Sequence, residues 1–180
     1  MNRSSSNSSG SSQRALDLSR RFATANEAAI AFVQTLSDEE WRSPCVREGR
    51  TVGQVVEHIA AGHLVIGGII EAMAFGRPLP VAAQRTAQTG ARFNARQAAG
   101  FAGHSRRQGL RALRRNGRAI ERFLATLSDE QLARTTDTIE GPVTTEREIE
   151  DGLFHHLSDH FEAVRESFGR APQTSAAAHA

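Results

Sequence analysis

Apolar residues recur at steps of three and four in four stretches of this chain, the spacing that lays a stripe along one side of an α-helix. The first stretch runs from about Leu16 to Leu36, with Leu18, Phe22, Ala25, Ala29, Phe32 and Leu36 on its stripe. The second opens at Thr51, where Thr51 and Gln54 have the spacing of a capping box. It carries Val52, Val55, Val56, Ile59, Ile66, Ile69, Ile70 and Met73, and stops at Gly76-Arg77-Pro78. The third holds Leu110, Leu113, Gly117, Ile120, Leu124 and Leu127. The fourth opens at Thr145, with Glu148 as partner in a second capping box, and runs through Ile149, Leu153, Leu157, Val164 and Phe168 to Gly169. No stretch alternates with the period of two that a half-buried strand requires, and no run bounded by Gly and Pro reads as a strand. The pattern predicts an all-α fold.

An internal echo refines the architecture. Phe32-Val-Gln-Thr-Leu-Ser-Asp-Glu-Glu-Trp41 recurs as Phe123-Leu-Ala-Thr-Leu-Ser-Asp-Glu-Gln-Leu132, an offset of 91 residues (123 − 32). Each copy ends a helix and is followed by a loop and a threonine-capped helix. The expected arrangement is a four-helix bundle of two pseudo-symmetric αα-hairpins joined by a long connection, residues 77 to 104. A bare loop of that length is uncommon, so part of it, Asn94 to Gly103, is expected to be helical.

Composition narrows the class. Of 180 residues, 39% are hydrophobic and 23% charged, ordinary for one globular domain. Residues 1–14 are mainly Ser, Asn and Gly and read as a disordered tail; residues 171–180 read as an Ala-rich one, leaving a domain over residues 15–170. The Ser-rich start has no apolar segment of a secretory signal, and no apolar run approaches the ~20 residues of a membrane span. The single cysteine, Cys45, excludes an internal disulfide, and a cytoplasmic location is expected. The net charge is only +2 while the pI is 9.8, because all 22 basic residues are arginine. Such a bias reflects coding composition more than a nucleic-acid partner.

The histidines carry the candidate chemistry. At 3.6 residues per turn the apolar centre of the fourth helix falls between Leu157 and Phe161. His160 lies inside that sector and His156 at its border one turn earlier, whereas His155 points away with Asp159 and Glu162. The i, i+4 spacing of His156 and His160 brings two imidazoles near enough to share one ion. On the second helix His58 sits at the border of the stripe, near Val55, Gly62 and Val65, and His63 lies deeper in it. Pattern alone leaves His63 open as third ligand, as a partner of the ligands or as a packed core residue. Asp159, Glu57 and His63 are candidate hydrogen-bond partners for the ligands, the two acids also reading as plain surface residues.

Other features have blander readings. Arg107, Arg111, Arg114, Arg118 and Arg122 form a ridge that reads as the solvated face opposite Leu110 and Leu113, balanced by acids elsewhere. It carries no interleaved aromatics. Cys45, beside Pro44, reads as a semi-buried loop residue. Trp41 reads as an apolar anchor for the start of the second helix.

A family resemblance joins these pieces. Trp41-Arg-Ser-Pro44 followed by Arg50-Thr-Val-Gly-Gln-Val-Val-Glu-His58 resembles the DinB superfamily, and especially its branch related to mycothiol-dependent maleylpyruvate isomerase. Phe93-Asn-Ala-Arg96, Arg114-Arg-Asn-Gly117 and the LSDEQL segment are similar to that branch, and His156-Leu-Ser-Asp-His160 to the closing His-x-x-x-His of the superfamily. The resemblance spans residues 16 to 170. It implies a four-helix bundle, frequently a homodimer, with a divalent metal, zinc or nickel, on His58, His156 and His160. Where that branch can have glutamate first in the closing pair, this chain has His156. The implied activity is transfer or isomerisation with a low-molecular-weight thiol such as mycothiol on a small-molecule substrate. Metal-dependent hydrolysis, a non-catalytic metal-binding bundle and a basic interaction module are the alternatives.

Overall fold

The computed structural model describes residues 12–84, 103–139 and 141–169, with positions 90, 96 and 99–101. Half of the expected helix from Asn94 to Gly103, the Phe93-Asn-Ala segment and most of both tails lie outside these residues, while positions 96, 99 and 100 are helical. The chain begins with α1 (Gln13–Thr35) and a short α2 (Asp38–Arg42). A hairpin follows, β1 (Pro44–Cys45) and β2 (Arg50–Thr51) around the 3₁₀ turn Val46–Glu48, and leads into α3 (Val52–Ala74). The second half has α4 (Arg106–Leu124), a short α5 (Asp129–Ala133) and a hairpin of β3 (Thr135–Thr138) and β4 (Gly141–Thr144). A last rod is built of α6 (Thr145–Glu148), a π-helical segment (Ile149–Phe154) and α7 (His155–Glu166).

The two halves repeat one design: long helix, capped short helix, hairpin, threonine-capped helix. The Ser37 hydroxyl accepts from the Glu40 N–H (3.0 Å), and Glu40 accepts from the Ser37 N–H (2.7 Å). Ser128 and Gln131 repeat that reciprocal pair at 3.2 and 2.9 Å. Each box satisfies two backbone donors that a helix start leaves orphaned. The halves interlock: α4 packs on both α1 and α3, and the last rod packs on α3. Edge-on ring pairs close the remaining side, Phe22 with Phe154 and Phe32 with Phe161, at centroid distances of 6.2 and 5.3 Å.

Four details depart from the sequence reading. First, α1 begins at Gln13 because Ser12 caps it, its hydroxyl accepting from the Ala15 N–H at 2.9 Å and its own N–H reaching the Leu127 carbonyl at 3.0 Å. Second, the cap of the last rod is Thr144, whose hydroxyl accepts from the Arg147 N–H (3.2 Å), so Thr145 is free to be buried. Third, two short antiparallel hairpins exist that periodicity missed, each too brief to show alternation. Fourth, α3 is long and apolar enough to cross a membrane by length and composition. Here that apolar surface is core: Val52, Val55, Val56, Ile59, Ile70 and Met73 are at most 1% exposed.

Trp41 locks the start of α3. A β-carbon on Gly53 or on Gly109 would stand 2.5 Å from the indole, so both glycines exist as flat seats for the ring. The indole N–H donates to the His104 carbonyl at 2.8 Å. Cys45 is fully buried, its thiol reaching the Ala163 carbonyl of α7 at 3.4 Å. Trp41→Ala is expected to lower the unfolding free energy by about 3–5 kcal/mol. Urea denaturation measures it, and a loss under about 1 kcal/mol would show that the indole is not an anchor.

Candidate metal centre

Three imidazoles meet where α3 faces α7. Ring centroids are 5.0 Å apart for His58 and His156, 4.8 Å for His58 and His160, and 4.6 Å for His156 and His160. One ligand atom from each lies within 4.8 Å of the others. The Nε2 atoms of His58 and His156 stand 3.3 Å apart. Two nitrogens bound tetrahedrally to one ion at ~2.05 Å are separated by roughly 3.3 Å, so this spacing fits a shared cation.

The backbone prepares the site in two places. Within α7 the i, i+4 spacing stacks His156 and His160 on one side of the helix. The π-helical segment directly before α7 is a rare local form found frequently at functional sites, and it places Leu153 in the core ahead of the histidines. Opposite, α3 presents Gly62. A β-carbon there would lie 2.2 Å from His156 Cε1 and 2.8 Å from its Nε2, so only glycine leaves room for that ring.

Electrostatics favours a neutral ring at His156. Burial, followed by the neighbouring His160, His58, His63 and Arg50, lowers the His156 pKa from 6.5 to about 2. Its Nδ1 is buried with no hydrogen-bond partner among the described residues. The His160 ring is oriented from outside: Nδ1–H donates to Glu48 Oε1 at 2.7 Å, leaving Nε2 as its lone pair. Glu48 is itself held by Arg50, Nη2 to Oε2 at 3.3 Å, and both side chains are largely buried. A carboxylate behind an imidazole fixes its tautomer and raises its basicity, the arrangement common behind metal-bound histidines. Donor type, spacing and the neutral His156 ring fit a divalent ion.

The other candidates fall elsewhere. His63 is fully buried in the core: Nε2–H donates to Asn26 Oδ1 at 3.0 Å, and the ring packs edge-on to Phe22 at 5.1 Å. Glu57 is buried, not superficial, and accepts from His104 Nδ1–H at 3.1 Å. Asp159 pairs with Arg47. Glu48 was missed, and only the turn ending at Gly49 (φ 64°), between Trp41 and α3, hints at it. A cavity of about 330 Å³ lined by Trp41, Gly53, Phe101, His104 and Arg106 includes none of the three clustered histidines.

Comparison with known proteins decides the family. A sequence model described as DinB superfamily matches residues 21–164. The chain belongs to the DinB superfamily. No curated protein sequence matches it. Among solved structures, YfiT from Bacillus subtilis, described as a probable metal-dependent hydrolase with an unusual four-helix bundle topology, is similar with a TM-score of 0.58. The likeness covers 88% of this chain and 87% of that one at 17% identity, and at that identity it shows the fold. Within this DinB fold the clustered histidines come from the two rods that the apolar stripes brought together.

The core histidine yields a prediction about pH. Burial lowers the His63 pKa from 6.5 to about 4. The unfolded chain therefore binds a proton at His63 between those values while the folded chain does not, and stability falls as pH drops from 6.5 through about 4. The loss from this residue is on the order of 3 kcal/mol. In metal-free protein His63→Gln keeps a polar partner for Asn26 and cannot titrate, so its urea midpoint should depend less on pH over that window. Parallel curves for the two proteins would refute the assignment.

Proposed function

We propose that His58, His156 and His160 hold one divalent metal ion and that this DinB protein is a metal-dependent enzyme activating a small nucleophile. The observation that carries the reading is the 3.3 Å approach of two Nε2 atoms from different helices within a triangle of rings 4.6–5.0 Å apart. Three neutral imidazoles suit zinc or nickel and leave further coordination positions open. A divalent ion there supplies Lewis acidity, lowering the pKa of a thiol or a water toward neutrality.

The chain's own residues do the rest. His156 stays neutral because the site is buried and a proton there would face two more imidazoles and Arg50. Glu48 fixes the tautomer of His160, and Arg50 keeps Glu48 in place. The resemblance to the isomerase branch favours a low-molecular-weight thiol, such as mycothiol, as nucleophile. The second reading, hydrolysis with water, is favoured by the description of YfiT as a probable metal-dependent hydrolase. Turnover of an activated electrophile that requires added thiol supports the first reading, and thiol-independent turnover supports the second. A non-catalytic bundle would give neither, while losing much of its stability on chelation.

Elemental analysis of purified protein is expected to find about one metal ion per chain in wild type and in His63→Ala. His58→Ala, His156→Ala and His160→Ala should each lose most of it. Equal content in all five proteins would sink the assignment. Glu48→Ala is expected to weaken metal binding about 10–100-fold by freeing the His160 ring. Gly62→Ala should do at least as much by displacing His156, with competition against a chromophoric chelator as the measurement for both. Unchanged affinity in either variant would show that the ring it supports is not a ligand.

A further inference from the structure

The arginine ridge of α4 faces away from the bundle. At 100° per residue, Arg107, Arg111, Arg114, Arg118 and Arg122 fall within an arc of about 80°, and at 1.5 Å per residue they span about 22 Å. Four are exposed and Arg114 is half-buried. The opposite face, with Gly109, Leu113, Asn116, Gly117 and Ile120, is buried.

The sequence reading had this ridge balanced by acids elsewhere. The ion pairs show that this balance does not come from direct contacts. Arg14, Arg21, Arg47 and Arg147 each stand against a carboxylate of a neighbouring element or turn, and Arg50 pairs with Glu48. None of the five ridge arginines makes an ion pair among the described residues. The residues outside the described set offer only one carboxylate side chain, Glu140. Many acids of this nearly neutral chain pair with other arginines, and the positive stripe has no direct ion-pair partner among the described residues.

We propose that the α4 ridge is a docking surface for the phosphate backbone of double-stranded nucleic acid. A straight file of guanidiniums fits a row of phosphates, because each guanidinium engages phosphate oxygens through two parallel N–H donors. The ridge has no aromatic side chain on which bases of a single strand stack. It also lacks large apolar neighbours to insert into a bilayer among the described residues, whose exposed large hydrophobics, Val46, Leu64, Phe75, Val81 and Ile139, all lie on other elements. Binding is independent of sequence, since a row on one exposed helix face contacts phosphates and no base edges.

The test is fluorescence anisotropy of a labelled 30-base-pair duplex titrated with the full chain at 50 to 200 mM salt. Five phosphate contacts predict a slope of log affinity against log salt of about −4.5. The triple variant Arg111→Gln, Arg114→Gln, Arg118→Gln should reduce that slope to about −2 and weaken binding at 50 mM salt more than tenfold, with metal content and circular dichroism unchanged. His160→Ala should bind the duplex as wild type does. No duplex binding at 50 mM salt, or variant binding equal to wild type, overturns the proposal. Tighter binding to a single strand of equal length overturns it as well. Ridge-dependent binding to phosphatidylserine vesicles without duplex binding overturns it in favour of an anionic lipid surface.

Discussion

Three imidazoles cannot share one partly dry interior point as cations. Two unit charges about 5 Å apart repel by roughly 3 kcal/mol even at the effective dielectric of a protein surface, and His156 faces two neighbours plus Arg50. His156 is therefore held neutral before any ion arrives. That constraint explains surrounding choices that otherwise look unrelated. Gly62 has no side chain so that His156 can approach α3. Glu48 sits outside the ring of His160, where a carboxylate steadies the tautomer without entering the cluster. Arg50 neutralises that carboxylate from behind.

The same constraint assigns the work of α3. This helix carries His58 on the side toward α7 and His63 on the side toward α1, where Asn26 accepts from His63 and donates weakly to the Leu113 carbonyl. Asn116 of α4 donates to the Ala60 carbonyl at 2.7 Å, a buried bond that fixes α4 along α3. Buried polar groups satisfied in this way position helices more sharply than apolar packing alone. The apolar content that makes α3 resemble a membrane span is what lets it serve as the central rod, packed on α4 and on the last rod together.

The four rods were legible because period-3.6 stripes are long and the serine-capped turns repeat. The pairing of His156 with His160 was legible for the same reason. Periodicity did not separate His58 from His63, because both lie near one stripe. Neighbourhood separates them: His58 lies beside His156 and His160, while His63 is wholly enclosed and packed on Phe22. Glu48 was beyond reach because its partner lies 112 residues away and its turn has no periodic pattern. The hairpins escaped because strands of two to four residues cannot show alternation. Thr145 was read as the cap because two threonines stand together, and only the buried setting of Thr145 leaves the capping role to Thr144.

The fold also keeps its two candidate surfaces apart. The imidazoles lie between α3 and α7, whereas the arginines of α4 point away from the core into which that helix sets Gly109, Leu113, Asn116, Gly117 and Ile120. No ridge arginine enters the causes that shift His156; the cation that does is Arg50, already tied to Glu48. Charges on an exposed helix face are screened by salt within about 10 Å, and groups far apart without shared partners act additively. Substitutions along the ridge should therefore leave the histidine cluster intact, and substitutions in the cluster should leave the ridge's field intact. That independence is what allows one small bundle to carry a partly buried histidine cluster and an arginine-lined edge without either compromising the other.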